Sequence, residues 1–525
     1  MSSASRIDQG AVSQANGKRA AVASGDRDAA NAALKMLSGG GSVADAAIAA
    51  SAVLCVTMPH ATSIGGDAFF LIRDGASGTV HALNASGTAP SATTAETFAD
   101  GMHQRGALAP VVPGLVKGWE ALHHRFGREP WSALLADAVA LAADSATVSP
   151  SLAQTILASE RQLRQDPGCA ALFFRNTVPL VAGERLQQAA LAGTLHAIAR
   201  LGADELFNGA TGQALAANIA SAGGLLRHTD LQQYSAEWVQ PVQSRLHGHE
   251  ISVAPPNSYG ILMLMQLQAL AGIAPDRLLA DTASRMTFQM RCMRATFDVA
   301  LKEIGDPRDM KKTIEQLLDT ASIEKIHARM AAMLPDASPV PGGGTACVTV
   351  ADASGNAVCI VQSIFNPFGS HYLDPQTGVL LNNRMFGFDH VPGRVNSIAP
   401  GKRSAHTLNP VIVTKAGKLR WVYASPGGIS QTVTGTQIMM NLILRGMGPA
   451  TAIEDSRWAV DRGGNILVEP DLDEDIVQSL AGAGFSPRRE SDGYSFGSAT
   501  MIESCDDGSL CVAADRRRQA CALAL

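Results

Sequence analysis

Between Leu334 and Thr345 the chain reads LPDASPVPGGGT, three prolines and three glycines in a stretch that holds neither helix nor strand. Immediately C-terminal to it the pattern turns to β. Thr345 to Ala351 alternates, Asp352 to Asn356 is turn-forming, and Ala357 to Ile364 supplies a second strand. A loop running straight into a core strand is the arrangement that an internal processing site needs. A threonine hydroxyl is a poor nucleophile without a base beside it, and a threonine at a chain terminus carries one in its own α-amine. With an α-amino pKa of roughly 7.7–8.0, uncharged amine is available near neutral pH. To create that terminus, the Thr345 hydroxyl must attack the carbonyl of Gly344, and a glycine there leaves the carbonyl uncrowded. If the hairpin turn centres on Ser354, Ser363 falls opposite Thr345, within reach of its hydroxyl; a slip of one or two positions is the alternative that turn type leaves open. Taken alone, GGGT reads as an ordinary loop before a strand.

The whole chain narrows the classes further. Its 525 residues are 46% hydrophobic and 17% charged, enough for one large α/β unit or two closely joined halves. A net charge of -5 leaves no basic footprint for nucleic acid, and Arg516, Arg517 and Arg518 beside Asp515 read as a solvated turn. The first twenty residues lack a secretory pattern, and Val43 to Met58, interrupted by Asp45, is too short to span a bilayer and reads as a buried helix. The eight cysteines show no metal spacing and suit reduced, packed thiols in a cytoplasmic protein.

Ser38 to Ser42 stops one helix and caps the next, with Asp45 three residues on as in a capping box. A middle region from about Val112 to Arg308 reads as largely helical, with amphipathic stretches at Trp131–Ala143 and Leu186–Ala199. Nucleotide binding fails on spacing, since no GxGxxG follows a strand and no GxxxxGK[ST] occurs. Cys347 shares a strand face with Thr345, but no histidine is near in sequence to activate it, so it reads as a core residue.

Motifs along the chain, in order, are GGSVADAAIAA (Gly40–Ala50), MPHATSIGGDAFF (Met58–Phe70), PVVPGLVKG (Pro110–Gly118), TACVTVADASGNAV (Thr345–Val358), FGSHYLDPQTGVLLNNR (Phe368–Arg384), SPGG (Ser425–Gly428) and GSATMIESCDDGSLCVAADRR (Gly497–Arg517). In this order and spacing they resemble the γ-glutamyltranspeptidase family of N-terminal-nucleophile hydrolases, from about Ala21 to the C-terminus. The resemblance implies an α/β fold, a four-layer αββα sandwich of two interleaved fragments, 1–344 and 345–525. It implies Thr345 as nucleophile, Ser363 as its supporting hydroxyl, and Gly427 and Gly428 as backbone donors of an oxyanion hole. It calls for no cofactor and no metal. The expected partners are a small-molecule amide substrate and the other fragment in a heterodimer, with a higher oligomer as a further option.

The substrate pocket departs from that family. The family's carboxylate-clamping arginine aligns with Ser86, its ammonium-binding aspartate with Gly387, one of its paired serines with His406 beside Thr407, and an asparagine with Phe365. Losing ion-pairing partners in a desolvated site costs several kcal/mol, which disfavours glutathione. Arg384 stands where the transpeptidases carry glutamine; with His406 it offers a carboxylate site, while pairing with a structural acid such as Asp389 is the alternative. Asn366 either replaces the missing asparagine or caps the loop. The pattern is similar to the branch that includes oxamate amidohydrolase and some cephalosporin acylases, so the expected activity is hydrolysis of a small carboxylate-bearing amide through an acyl-enzyme. γ-Glutamyl hydrolysis or transfer, and a binding protein without activity, are the alternatives.

Overall fold

The computed structural model of the chain describes residues 12–332, 344–461 and 463–525; the proline- and glycine-rich stretch 335–343 lies outside the described residues. Fourteen strands make two seven-stranded sheets, antiparallel throughout. In chain order these are β1 (Ser13–Gly17), β2 (Ala20–Ser24), β3 (Asp67–Arg73), β4 (Val80–Ala85), β5 (Glu237–Val239), β6 (Val242–Leu246), β7 (His249–Val253), β8 (Gly344–Asp352), β9 (Ala357–Phe365), β10 (Val411–Lys415), β11 (Lys418–Ala424), β12 (Thr500–Ser504), β13 (Leu510–Ala514) and β14 (Cys521–Ala524). One sheet runs β14-β2-β8-β9-β3-β4-β5, the other β1-β13-β12-β11-β10-β7-β6. Both sheets contain strands from before and after Gly344, so the two stretches of sequence share one core.

The period-2 alternation of side chains sorts that core into layers. In β3, Phe69 and Leu71 point between the sheets, where Cys347, Val361, Ile412, Val422 and Ile502 meet them. Ala68, Phe70 and Ile72 point the other way, against helices α1 (Arg27–Ser38) and α2 (Val43–Thr57). The far face of the second sheet, with Val253, Val413 and Tyr423, packs on α3 (Gly260–Ala271), α4 (Thr282–Glu303) and α5 (Ser430–Ile443). The order is helix, sheet, sheet, helix, the four-layer sandwich expected.

Every residue of α2 is buried, which is why its sequence is alanine-rich with no polar face. Its start has the expected capping box: the Asp45 amide donates to Ser42 Oγ at 3.1 Å and the Ser42 amide donates to Asp45 Oδ2 at 2.8 Å. Gln362 fastens the helix to β9, its Nε2 donating to the Ser51 carbonyl at 3.1 Å and to Thr62 Oγ1 at 2.9 Å.

The region from Val112 to Arg308 is largely helical, as expected, but β5, β6 and β7 also cross it and supply edges to both sheets, a tertiary role that their short alternating stretches carry too weakly to announce. One expectation needs correction: the arginine run is not a solvated turn. Arg517 is buried and bonded through Nε to Glu469 and through Nη1 to Asp515 at 3.3 Å, and Arg518 stacks 3.5 Å from the centre of the Tyr494 ring.

Candidate active site

The hairpin β8–β9 pairs Ala346 with Gln362 and Ala351 with Ala357, the register expected from a turn at Ser354. At its open end the register shifts: Gly344 pairs with Phe365, so Ser363 and Ile364 together face the single residue Thr345. Phe365 lies just beyond this bulge at φ 77°, in the left-handed region that a large side chain rarely occupies. The shift redirects the Ser363 hydroxyl. Its Oγ accepts the Phe365 amide at 2.7 Å and donates to the Gly344 carbonyl oxygen at 2.6 Å, rather than to Thr345. Gly344 is closely confined; a Cβ there would lie 3.1 Å from the His60 carbonyl oxygen and 3.3 Å from Ala61 Cα. Thr345 is itself buried.

A second element reaches Thr345 from the other sheet. β11 ends at Ala424, and Ser425-Pro426-Gly427-Gly428 turns the chain into α5. Gly427 (φ 132°) and Gly428 (φ 59°) both lie in the left-handed region. Their carbonyls accept the amides of Ser430 and Gln431 at 3.1 Å each, while among the described residues neither glycine amide has a hydrogen-bond partner. From the same turn the Gln431 side chain donates to Thr345 Oγ1 at 3.4 Å. Two unspent backbone donors, in the segment from which Gln431 reaches Thr345, are groups of the kind that stabilise a tetrahedral oxyanion.

The third element is a buried charge cluster. Asp67, opposite Ser363 in the sheet, receives Arg384 Nε and Nη2 at 3.2 Å each and His406 Nε2 at 2.8 Å. All three residues are at most 1% exposed. Burial alone would raise the Asp67 carboxyl, but Arg384 and His406 hold it below its ordinary value. Burial, reinforced by the Arg384 charge, lowers His406 to about 4. The Leu408 amide donates to its Nδ1 at 3.3 Å, so both ring nitrogens are spent and Nε2 carries the proton given to Asp67. His406 therefore orients Asp67 and has no donor left for a substrate. Arg384 stacks 4.3 Å from the centre of the Phe365 ring, and among the described residues its buried Nη1 has no hydrogen-bond partner. Its acid is Asp67, not Asp389, which pairs with Arg394 at 2.7 Å.

Around this cluster, Asn366 donates its amide to Asn383 Oδ1 at 3.0 Å, and Thr407 is buried beside His406. Ser86 is locked away, its Oγ donating to Asn84 Oδ1 at 2.6 Å and its carbonyl accepting Tyr234 Oη at 3.0 Å. A Cβ at Gly387 would sit 3.1 Å from Ser404 Oγ, a tight approach, and 3.5 Å from Arg384 Cδ, an ordinary contact. Cys347 packs between the sheets, where burial pushes its thiol well up. Among the described residues no group of histidine, cysteine and carboxylate side chains is arranged to hold a metal.

The structure brings the hairpin end, the glycine turn and the Arg384 cluster together, and adds two residues that the motifs did not single out. Asp67 had a signal, a carboxylate opening the strand DAFFLIR, which is apolar from Ala68 to Ile72. Gln431 had none, since one glutamine at a helix start has no periodicity.

The layered fold, with a glycine turn set against the central hairpin, defines an enzyme of the N-terminal-nucleophile hydrolase class. The family model described as gamma-glutamyltranspeptidase matches residues 29–525, and the chain belongs to that family as an amide-cleaving hydrolase. It is 34% identical over 454 residues to an oxamate amidohydrolase proenzyme of Klebsiella pneumoniae, covering 83% of this chain and 84% of that one. It is 32% identical over 492 residues to the acylase ACY 1 proenzyme of Pseudomonas sp. strain SE83, covering 90% and 87%. Among solved structures it is similar to cephalosporin acylase from Bacillus halodurans, with a TM-score of 0.90 at 31% identity over 98% of this chain and 97% of that chain.

Proposed function

We propose that the chain cuts itself between Gly344 and Thr345, and that the freed Thr345 hydrolyses the amide of a small carboxylate-bearing substrate of the oxamate type. Fragments 1–344 and 345–525 then persist as an interleaved heterodimer; the relatives named as proenzymes support this reading.

In the processing step the Thr345 hydroxyl attacks the Gly344 carbonyl carbon, which the Ser363 hydrogen bond polarises. The acyl group passes from nitrogen to oxygen, which frees the α-amine, and water then hydrolyses the ester to release the Thr345 hydroxyl and the Gly344 carboxylate. In turnover that amine takes the hydroxyl proton as Oγ attacks the substrate carbonyl. The Gly427 and Gly428 amides hold the oxyanion, each donor of this kind being worth about 2.7–4 kcal/mol. The leaving amine departs with a proton, and water releases the acid from the acyl-enzyme.

The observation that carries the substrate class is Arg384 Nη1, a buried guanidinium nitrogen without a partner among the described residues. Leaving such a group unsatisfied costs about 1–3 kcal/mol, which an incoming carboxylate oxygen recovers. Asp67 already balances the arginine's charge, so the carboxylate is met chiefly as a hydrogen-bond acceptor. Phe365 fills volume beside it, favouring a short acyl group. The test compares ammonia released from oxamate with p-nitroaniline released from a γ-glutamyl anilide. Faster turnover of oxamate is expected; preference for the anilide overturns the small-acid reading, and no turnover of either supports a binding protein.

A further inference from the structure

We infer that Gln431 is a catalytic hydrogen-bond donor to the nucleophile oxygen, holding Thr345 Oγ as it attacks and again as it leaves. This rests on the reading of Thr345 as nucleophile.

The orientation of the Gln431 carboxamide is set by its two ends. Oε1 accepts the Asn409 amide at 3.0 Å, a bond that only an oxygen can make. Nε2 must then be the end facing Thr345 Oγ1, at 3.4 Å, a looseness usual in a site without its substrate. Gln431 is 1% exposed, and its own amide is tied to the Gly428 carbonyl in the first turn of α5. The side chain is thus fixed at both backbone and tip, and it shares one rigid turn with the glycine amides.

A donor on this side of Oγ has two consequences. It occupies an oxygen lone pair, so the hydroxyl proton points away from Gln431, leaving it for the α-amine once the chain is cut. In acylation the Oγ–carbon bond forms, the Oγ proton passes to the amine and then to the departing nitrogen as the carbon–nitrogen bond breaks. In deacylation water adds to the ester, the Oγ–carbon bond breaks, and Oγ leaves with the electron pair before regaining a proton. Developing charge on Oγ at that step is met by a preorganised N–H, the situation in which a fixed donor contributes most.

Two variants separate this role from packing. Gln431→Glu is nearly isosteric and keeps the acceptor for Asn409, but presents an oxygen to Oγ; Gln431→Leu removes both bonds. Each is to be isolated with a circular dichroism spectrum matching wild type, and kcat and KM measured on oxamate beside Thr345→Ala. The expected result is a kcat lowered by about 10²–10³-fold in Gln431→Glu, with KM within about twofold. Should Gln431→Leu fail to fold, Gln431→Glu decides alone. A Gln431→Glu enzyme with wild-type kcat, or one changed only in KM, overturns the inference while an inactive Thr345→Ala leaves the nucleophile intact. An active Thr345→Ala overturns the reading beneath it instead.

Discussion

The hydroxyl of Ser363 donates to the carbonyl oxygen of Gly344 across 2.6 Å, and the amide of Phe365 donates back to that hydroxyl at 2.7 Å. The strand bulge that places Ser363 and Ile364 against Thr345 alone creates this geometry, so the carbonyl at which cleavage is proposed is already polarised in the uncut chain. Ser363→Ala is therefore expected to slow fragment formation by about 10–100-fold, the effect of one hydrogen bond of about 1.5–3 kcal/mol to developing charge. A time course of freshly synthesised protein on a denaturing gel measures it, and an unchanged rate contradicts it.

Gly344 carries a second constraint on the same step. In Gly344→Ala the new methyl meets the His60 carbonyl oxygen and Ala61 Cα at 3.1 and 3.3 Å. Backbone on both sides has little freedom to yield, so fragment formation slows while the strand itself persists. The same gel series reads this out, with circular dichroism as the control for folding.

Much of this site is legible in the sequence. The turn at Asp352–Asn356 brings Thr345 and Ser363 to the same end of one hairpin, within the slip of one or two positions that turn type leaves open, and the glycine pair follows from the order of the motifs rather than from any local pattern. The Arg384 neighbourhood is only half legible. Its partner Asp67 lies 317 positions away in sequence, brought to it by the tertiary fold rather than by any local pattern. For the same reason Asp389 looks like the nearer acid, and the bond of His406 to Asp67 leaves no trace in the sequence around either residue. The sandwich could be expected, whereas strands β5 to β7 disappear into a helix-rich region because three to five residues carry little periodicity.

Arg384→Gln removes the unpartnered Nη1 and the bonds to Asp67 together. Loss of a hydrogen bond from a charged group, about 1.5–3 kcal/mol, predicts a KM for oxamate raised roughly 10–100-fold. Steady-state kinetics checks it, and an unchanged KM removes Arg384 from the substrate site. Asp67→Asn leaves the guanidinium buried without its counter-ion and should cost about 3–5 kcal/mol of stability, read from denaturant unfolding.

Three deeply shifted imidazoles contribute to the response to acid. Burial foremost lowers His60 to about 3, and His371 and His406 to about 4. Unfolded histidine titrates near 6.5, so between roughly pH 6.5 and 4 the unfolded chain binds more protons than the folded one. Stability is thus fully present above that window and falls as the pH drops through it, by up to about 1.4 kcal/mol per pH unit for each imidazole. Urea unfolding at several pH values should show that decline, and a smaller one in His406→Gln. A flat profile contradicts the burial of these rings as neutral groups.

Every catalytic role assigned to this site depends on Thr345 releasing itself, and the mass of the denatured purified protein decides whether it does. Two chains are expected for wild type, the smaller beginning at Thr345, and one uncut chain for Thr345→Ala. A wild-type protein that remains a single chain of 525 residues, or a Thr345→Ala protein cut at the same bond, would contradict self-release.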